Sequence, residues 1–95
     1  MFQVKIEPLA ANMTVLTKGY VGKTKKILFS YETPVSVLTE DNDFLVTSTF
    51  YSKTTKSHIT KWLRMVCKAK EVQLEPIKVP QSAINKLAGY YNDED

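Results

Sequence analysis

The chain has 95 residues, of which 43% are hydrophobic and 24% are charged, with a formal net charge of +3. This length and composition are typical of one small globular domain and exclude a disordered or coiled-coil chain. A single cysteine excludes an internal disulfide and cannot alone hold a structural zinc ion. We predict one domain over residues 1–91, followed by an acidic tail over residues 92–95.

Alternation of apolar and polar residues predicts strands in the first part of the chain. Residues 2–7 alternate in this way, and Pro8 ends the strand or places it at a sheet edge. Residues 13–17 are rich in β-forming side chains and predict a second strand. A glycine-containing turn over residues 19–24 then leads to a third, strongly apolar strand over residues 27–31.

A proline and a polar turn shape the next segment. Pro34 cannot donate a hydrogen bond in a central ladder, so we expect a bend or bulge at residues 32–34. Residues 35–39 and 44–51 predict the two strands of a hairpin. The turn between them, at residues 40–43, is made of short polar side chains that bond to their own backbone.

A helical period replaces the alternation over about residues 55–68. Apolar residues recur there at spacings of three and four, which places them on one face of an amphipathic helix. These residues are Ile59, Trp62, Leu63, Val66 and Cys67. Thr54 or Thr55 is the predicted N-cap, because a hydroxyl can accept a hydrogen bond from a free backbone N–H of the first turn.

The last elements are a strand and a short helix. Residues 71–75 alternate and predict a strand that ends before Pro76. Pro80 in a first turn and Gly89 as a stop predict a C-terminal helix that covers an edge or an end of the sheet. The predicted fold class is therefore α+β, a small antiparallel sheet of four or five strands with the main helix at about 55–68 packed on one face.

Positive charge is concentrated in one stretch of the sequence. Residues 44–70 contain lysines and an arginine but neither Asp nor Glu. A separated basic surface attracts polyanions, and neighbouring aromatic rings can stack on bases. Ordinary solvation of a helix face by lysine is the alternative interpretation. The candidate nucleic-acid-binding residues are Lys23, Lys25, Tyr51, Lys53, Lys56, Lys61, Arg64 and Lys68.

The sequence does not assemble a recognisable catalytic or cofactor site. Gly22-Lys23-Thr24 lacks the earlier glycine of a P-loop, and a strand rather than a helix follows it. His58 is the sole histidine and has no acidic residue nearby in sequence, so packing against the indole of Trp62 is its structural interpretation. We expect no enzymatic activity, no metal and no cofactor. No apolar run reaches the ~18 residues of a membrane-spanning helix, so we expect no membrane association and a cytoplasmic location.

Two motifs carry a family resemblance. The runs from Phe29 to Val35 and from Tyr51 to Leu63 resemble the pattern Ser-Tyr-x-Thr-Pro-Val followed by Tyr-Ser-x-Thr-Thr-x-x-His-Ile-x-x-Trp-Leu. We associate this pattern with a family of small uncharacterised proteins, mainly from bacteriophages and mobile elements. The resemblance covers about residues 27–63 and carries no activity. It implies a phage-type origin, hence the cytoplasm of a host cell, and a compact unit of hairpin plus helix.

The sequence leaves more than one function open. The first hypothesis is a small accessory protein that binds DNA or RNA through a basic helix and strand surface. The second is a protein-interaction module that modulates a host or phage protein, because an exposed edge strand suits recognition by strand addition. A homodimer formed through an edge strand or the terminal helix is a third possibility.

Overall fold

A computed structural model describes residues 2–89 as one sheet with two helices. The elements are β1 (Phe2–Ala10), β2 (Met13–Tyr20), β3 (Lys23–Ser30), β4 (Thr33–Leu38), β5 (Phe44–Thr47), α1 (Lys53–Lys70), β6 (Pro76–Val79) and α2 (Gln81–Ala88). The six strands lie in chain order across the sheet. The α+β class is confirmed, whereas the predicted count of four or five strands is too low. The predicted acidic tail lies outside the described residues.

The first five strands are antiparallel neighbours, and β6 lies parallel to β5. A parallel pair needs a crossover connection, and α1 supplies it between β5 and β6. The chain therefore combines an antiparallel meander with one strand–helix–strand unit. This parallel edge is a departure from the predicted wholly antiparallel sheet.

The glycine-containing turn is tighter than predicted. β2 continues to Tyr20 and β3 begins at Lys23, so only Val21 and Gly22 form the turn. Gly19 lies inside β2 with φ of 140°, and a Cβ built on it would lie 2.3 Å from the carbonyl oxygen of Lys23. Close approach of the two backbones therefore requires glycine at position 19.

The bulge expected beside Pro34 is confirmed. The register between β3 and β4 shifts after Leu28, and Phe29 then pairs with Pro34. Val35 is the extra residue of the bulge, and it packs among the core residues under α1. A bulge is one of the few places in a sheet that tolerates proline, which cannot donate to the ladder.

The strand predicted over residues 71–75 is wrong. Glu71 adopts left-handed backbone angles as the C-cap of α1, and its N–H contacts the carbonyls of Cys67 and Lys68. The chain then runs without regular structure until β6 begins at Pro76. Proline is tolerated at the first residue of a strand and on a sheet edge, so it opens this strand rather than ending one.

The two helices cover opposite faces of the sheet. Phe44 and Val46 pack with Trp62 of α1, whereas Leu45 between them packs with Ile84 of α2. Successive strand residues point to opposite faces, so these contacts define an α1-side core and an α2-side core. The predicted placement of α2 at an edge or end is therefore wrong, because its apolar residues cover the second face of the central strands.

The bounds of α2 agree with the prediction from its flanking residues. Pro80 occupies the N-cap position, and Gly89 ends the helix with φ of 87°. The Lys18 side chain donates a hydrogen bond to the Ala88 carbonyl at 3.2 Å, which ties the last turn to β2. A cation near a helix C-terminus also interacts favourably with the helix dipole.

Coverage by the helices decreases toward β1, at one edge of the sheet. Phe2, Val4 and Ile6 are exposed, and their pairing with β2 places them on the α2 side. We call these three residues the β1 stripe. Neither helix within residues 2–89 combines the length and the apolar character that crossing a membrane requires.

Candidate functional site

The N-terminus of α1 is fixed by Ser52. The Ser52 backbone is extended, and its hydroxyl accepts a hydrogen bond from the backbone N–H of Thr55 at 3.1 Å. This bond satisfies one of the free donors of the first turn. The predicted caps, Thr54 and Thr55, are wrong, because the helix starts at Lys53, two residues before the predicted start.

The indole of Trp62 anchors the buried side of α1. Trp62 is 3% exposed, and its ring lies 5.1 Å from the ring of Phe44. Thr55, His58 and Val66 are buried on the same side of the helix. Because the apolar side of α1 faces the sheet, its charged side faces solvent.

The outward side of α1 carries a cluster of cations. Four exposed cations fall within about 80° of helical projection, and we call them the basic face of α1. They are Lys53, Lys61, Arg64 and Lys68. Within residues 2–89, no nitrogen of these side chains has a carboxylate oxygen closer than 4.0 Å. In the described part of the chain, no direct ion pair therefore neutralises the positive charge of this face.

A groove lies beside the basic face, between α1 and the edge strand β6. Its cavity volume is about 230 Å³, and its lining includes Ile59 and Pro76 together with Lys56 and Lys78. The loop between β5 and α1 completes the lining, and we call the whole the α1–β6 groove. It combines apolar surface with two cations.

The loop that borders the groove carries exposed aromatic rings. Phe50 is 70% exposed and Tyr51 is 45% exposed, and both line the cavity. Large aromatic side chains usually bury most of their surface, so two exposed neighbours beside a groove form a candidate contact surface. This arrangement offers flat apolar faces next to the ammonium groups of Lys56 and Lys78.

A buried network of hydroxyl groups joins α1 to β3. The Ser30 hydroxyl lies 2.8 Å from Nδ1 of His58 and 2.9 Å from the hydroxyl of Thr55. The centroid of the His58 ring lies 6.1 Å from that of the Tyr31 ring, whereas the sequence predicted packing against the indole of Trp62. All three hydrogen-bonding side chains are buried. The network therefore fixes the position of α1 on the sheet.

The structure brings most of the predicted site residues together. Lys53, Lys61, Arg64 and Lys68 form the basic face, while Tyr51 and Lys56 line the adjacent groove. Sequence reasoning missed Phe50 and Lys78 as parts of this surface. Phe50 is signalled by its position next to Tyr51, but Lys78 lies in a strand whose parallel pairing the sequence does not reveal.

Lys23 and Lys25 do not join this surface. They lie on β3, where Lys25 has the same phase as Ile27 of the α2-side core. Their side chains therefore lie on the sheet face opposite to α1. Partial burial lowers the pKa of Lys25, the nearby Lys18 lowers it further, and Glu40 acts in the opposite direction.

Metal ligands are not grouped in the described part of the chain. Residues 2–89 contain no cluster of three or more His, Cys, Asp or Glu side chains placed to hold an ion. Cys67 is a free, half-buried thiol on α1. The chemistry available at the site is therefore that of ammonium, guanidinium, hydroxyl and aromatic groups.

The fold and the site define a small one-sheet domain with an exposed basic helix. The model of a family of unknown function, DUF8033, matches residues 4–78, and the chain belongs to this family. No curated protein and no solved structure gives a significant match. The family match extends well beyond the motifs at residues 27–63 and covers the sheet from β1 into β6, together with α1.

Proposed function

We propose that this chain is a non-enzymatic nucleic-acid-binding protein that contacts phosphates through the basic face of α1. The observation that carries the proposal is the set of exposed α1 cations without carboxylate partners within residues 2–89. Neutralising phosphates with such cations releases counterions, which supplies sequence-independent affinity. The inward orientation of Trp62 leaves these side chains free to contact a ligand without disturbing the core.

The α1–β6 groove favours a single strand as the ligand. Phe50 and Tyr51 expose aromatic surface beside Lys56. Proteins that bind single strands combine stacking on aromatic rings with cations that follow the backbone. A duplex keeps its bases stacked inside the helix and would use only the basic face. We therefore expect tighter binding of a single strand than of a duplex.

The experiment is a fluorescence anisotropy titration at low salt with labelled single-stranded DNA, duplex DNA and single-stranded RNA. The test variant combines Lys61→Gln, Arg64→Gln and Lys68→Gln. The matched control combines Lys23→Gln, Lys25→Gln and Lys86→Gln, so both variants lose three cationic side chains. Circular dichroism is used to check that each variant is folded.

We expect the α1 variant to lose at least about tenfold in affinity, and the control to lose less than about threefold. The difference is expected because only the α1 cations share one face with the aromatic groove. Absence of binding by the unaltered protein at micromolar concentration contradicts the proposal. Equal losses in the two variants also contradict it, because net charge alone would then explain binding.

A phage-type accessory role in the cytoplasm of a host cell is a further part of this proposal. It rests on the motifs around Tyr31 and His58 and on the absence of a predicted membrane span. The genomic neighbours of family members test it. Neighbouring genes for phage replication or virion proteins support the role, whereas consistent placement among chromosomal metabolic genes contradicts it.

A protein-interaction module is the second candidate function. The exposure of β1 along an edge of the sheet favours it, because an edge strand can accept an added strand from another protein. Under this function the α1 variant keeps its full affinity for the partner protein, whereas substitutions on β1 remove that affinity. The two candidates therefore predict opposite responses to the same variants.

A further inference from the structure

The outer edge of β1 is the largest uncovered strand surface in residues 2–89. β1 has nine residues, and all except Leu9 are exposed. Phe2, Val4 and Ile6 expose 53%, 61% and 68% of their surface. An edge strand also presents unpaired backbone N–H and C=O groups. Apolar side chains beside free backbone groups are typical of a site that pairs with another strand.

The opposite edge of the sheet is protected. β6 has only four residues, and prolines stand at Pro76 and Pro80. Short length and flanking prolines are devices that prevent edge-to-edge association. Association through strands is therefore restricted to β1, and each chain offers one such edge.

We propose that β1 pairs antiparallel with β1 of a second copy, with Ile6 opposite the partner's Ile6 on a two-fold axis. The β1 stripes of the two copies then form one apolar surface on the same side of a continuous sheet. A two-fold interface of this kind uses one identical patch from each copy and closes on itself. Because β6 is protected, the association ends at the dimer.

The charges on the other face of β1 select this register. Lys5 lies opposite Thr17 and Glu7 opposite Val15 within the sheet, so neither has an opposite charge across from it. Pairing about Ile6 places Lys5 opposite the partner's Glu7, and the symmetric pair forms as well. Pairing centred on Lys5 would place the two Lys5 ammonium groups opposite each other. Pairing centred on Glu7 would do the same with the two Glu7 carboxylates. Opposite charges across strands are stabilising, and like charges are destabilising.

Pro8 limits the length of the new ladder. It lacks a backbone N–H, so it accepts but cannot donate a hydrogen bond opposite the partner's Val4. The strand pairing is therefore centred on Ile6 and short. We expect a reversible dimer, in which side-chain contacts of the β1 stripe supplement a few backbone hydrogen bonds.

The test measures the mass of the full chain by sedimentation equilibrium over a range of concentrations, without nucleic acid. Two single variants, Lys5→Glu and Glu7→Lys, each place like charges opposite one another in a homodimer. An equimolar mixture of the two restores opposite charges at both positions. Lys86→Glu and Glu75→Lys are the matched controls, because they make the same charge changes at exposed residues away from β1.

We expect the unaltered protein and both controls to dimerise, each β1 variant to dimerise at least about tenfold more weakly, and the mixture to regain affinity as a heterodimer. A monomer at every concentration up to about 1 mM overturns the proposal. Unchanged dimerisation of both β1 variants also overturns it, because the interface then lies elsewhere.

Discussion

The part of the sheet between α1 and α2, which we call the covered end, and the β1 edge, which we call the open end, differ in how completely the helices cover them. β4 is buried along almost its whole length because α1 and α2 pack on its two faces. β1, three strands away, is exposed on both faces. The covered end exposes the polar outer side of a helix, whereas the open end exposes apolar side chains directly. One small domain thereby offers a cationic surface at one end and an apolar surface at the other.

The order of elements along the chain explains this difference. α1 connects β5 to β6, and α2 follows β6 directly, so both helices are tethered to the same end of the sheet. α2 has only eight residues, which is a length of about 12 Å. Such a helix covers the central strands but does not extend across β2 to the sheet edge. A surface open to a partner is therefore a consequence of topology.

The strongest test of the covered end is the variant Trp62→Ala. Trp62 is buried against Phe44, so removal of the indole leaves a cavity in the α1-side core. We expect the free energy of unfolding, measured by urea denaturation, to fall by about 3–5 kcal/mol. Met65→Ala, at an exposed position on the same helix, is the control with little expected effect. A loss below about 1 kcal/mol for Trp62→Ala contradicts the assigned packing.

The next effect concerns the open end of the sheet. Gly19→Ala would place a Cβ 2.3 Å from the Lys23 carbonyl oxygen, at a φ that L residues rarely adopt. We expect a loss of about 1–3 kcal/mol in unfolding free energy from backbone strain and displacement of the β2–β3 turn. Gly22→Ala meets no atom within 4 Å and is the matched comparison. Equal losses at the two glycines would show that the close backbone approach is unimportant.

A smaller effect is expected at the start of α1. Ser52→Ala removes the hydroxyl that accepts from the Thr55 N–H, and we expect a loss of about 1 kcal/mol in unfolding free energy. Ser57→Ala, at an exposed position of the same helix, is the control. If the two variants have the same stability, Ser52 is not the N-cap in solution.

Sequence periodicity identified the helices of the covered end, whereas the strand that it predicted there, over residues 71–75, was wrong. The three- and four-residue spacing around Trp62 identified α1, and Pro80 with Gly89 identified α2. The N-cap of α1 was ambiguous because four hydroxyl residues lie near the start of the helix: Ser52, Thr54, Thr55 and Ser57. The contact of Thr55 with Ser30 selects among them, and it depends on tertiary packing. Local patterns describe which face of an element is apolar, but they do not describe which sheet face a helix will cover.

The parts of the site that escaped prediction depend on pairing between distant segments. Lys25 was grouped with the α1 cations because other lysines lie near it in sequence. Lys25 and Ile27 are two residues apart on β3, however, so both side chains lie on the sheet face opposite to α1. Lys78 enters the α1–β6 groove only because β6 lies parallel to β5. Strand order and parallel pairing are set by the whole fold, so no local pattern reveals them.

The most direct test of the central claim is the salt dependence of single-stranded DNA binding. The logarithm of the association constant should fall linearly with the logarithm of salt concentration. Removing Lys61, Arg64 and Lys68 by substitution with Gln should reduce the size of that slope by about two, because each phosphate contact contributes about 0.7 for a single strand. An unchanged slope in this variant, or affinity of the unaltered protein that is independent of salt, would contradict phosphate recognition by α1.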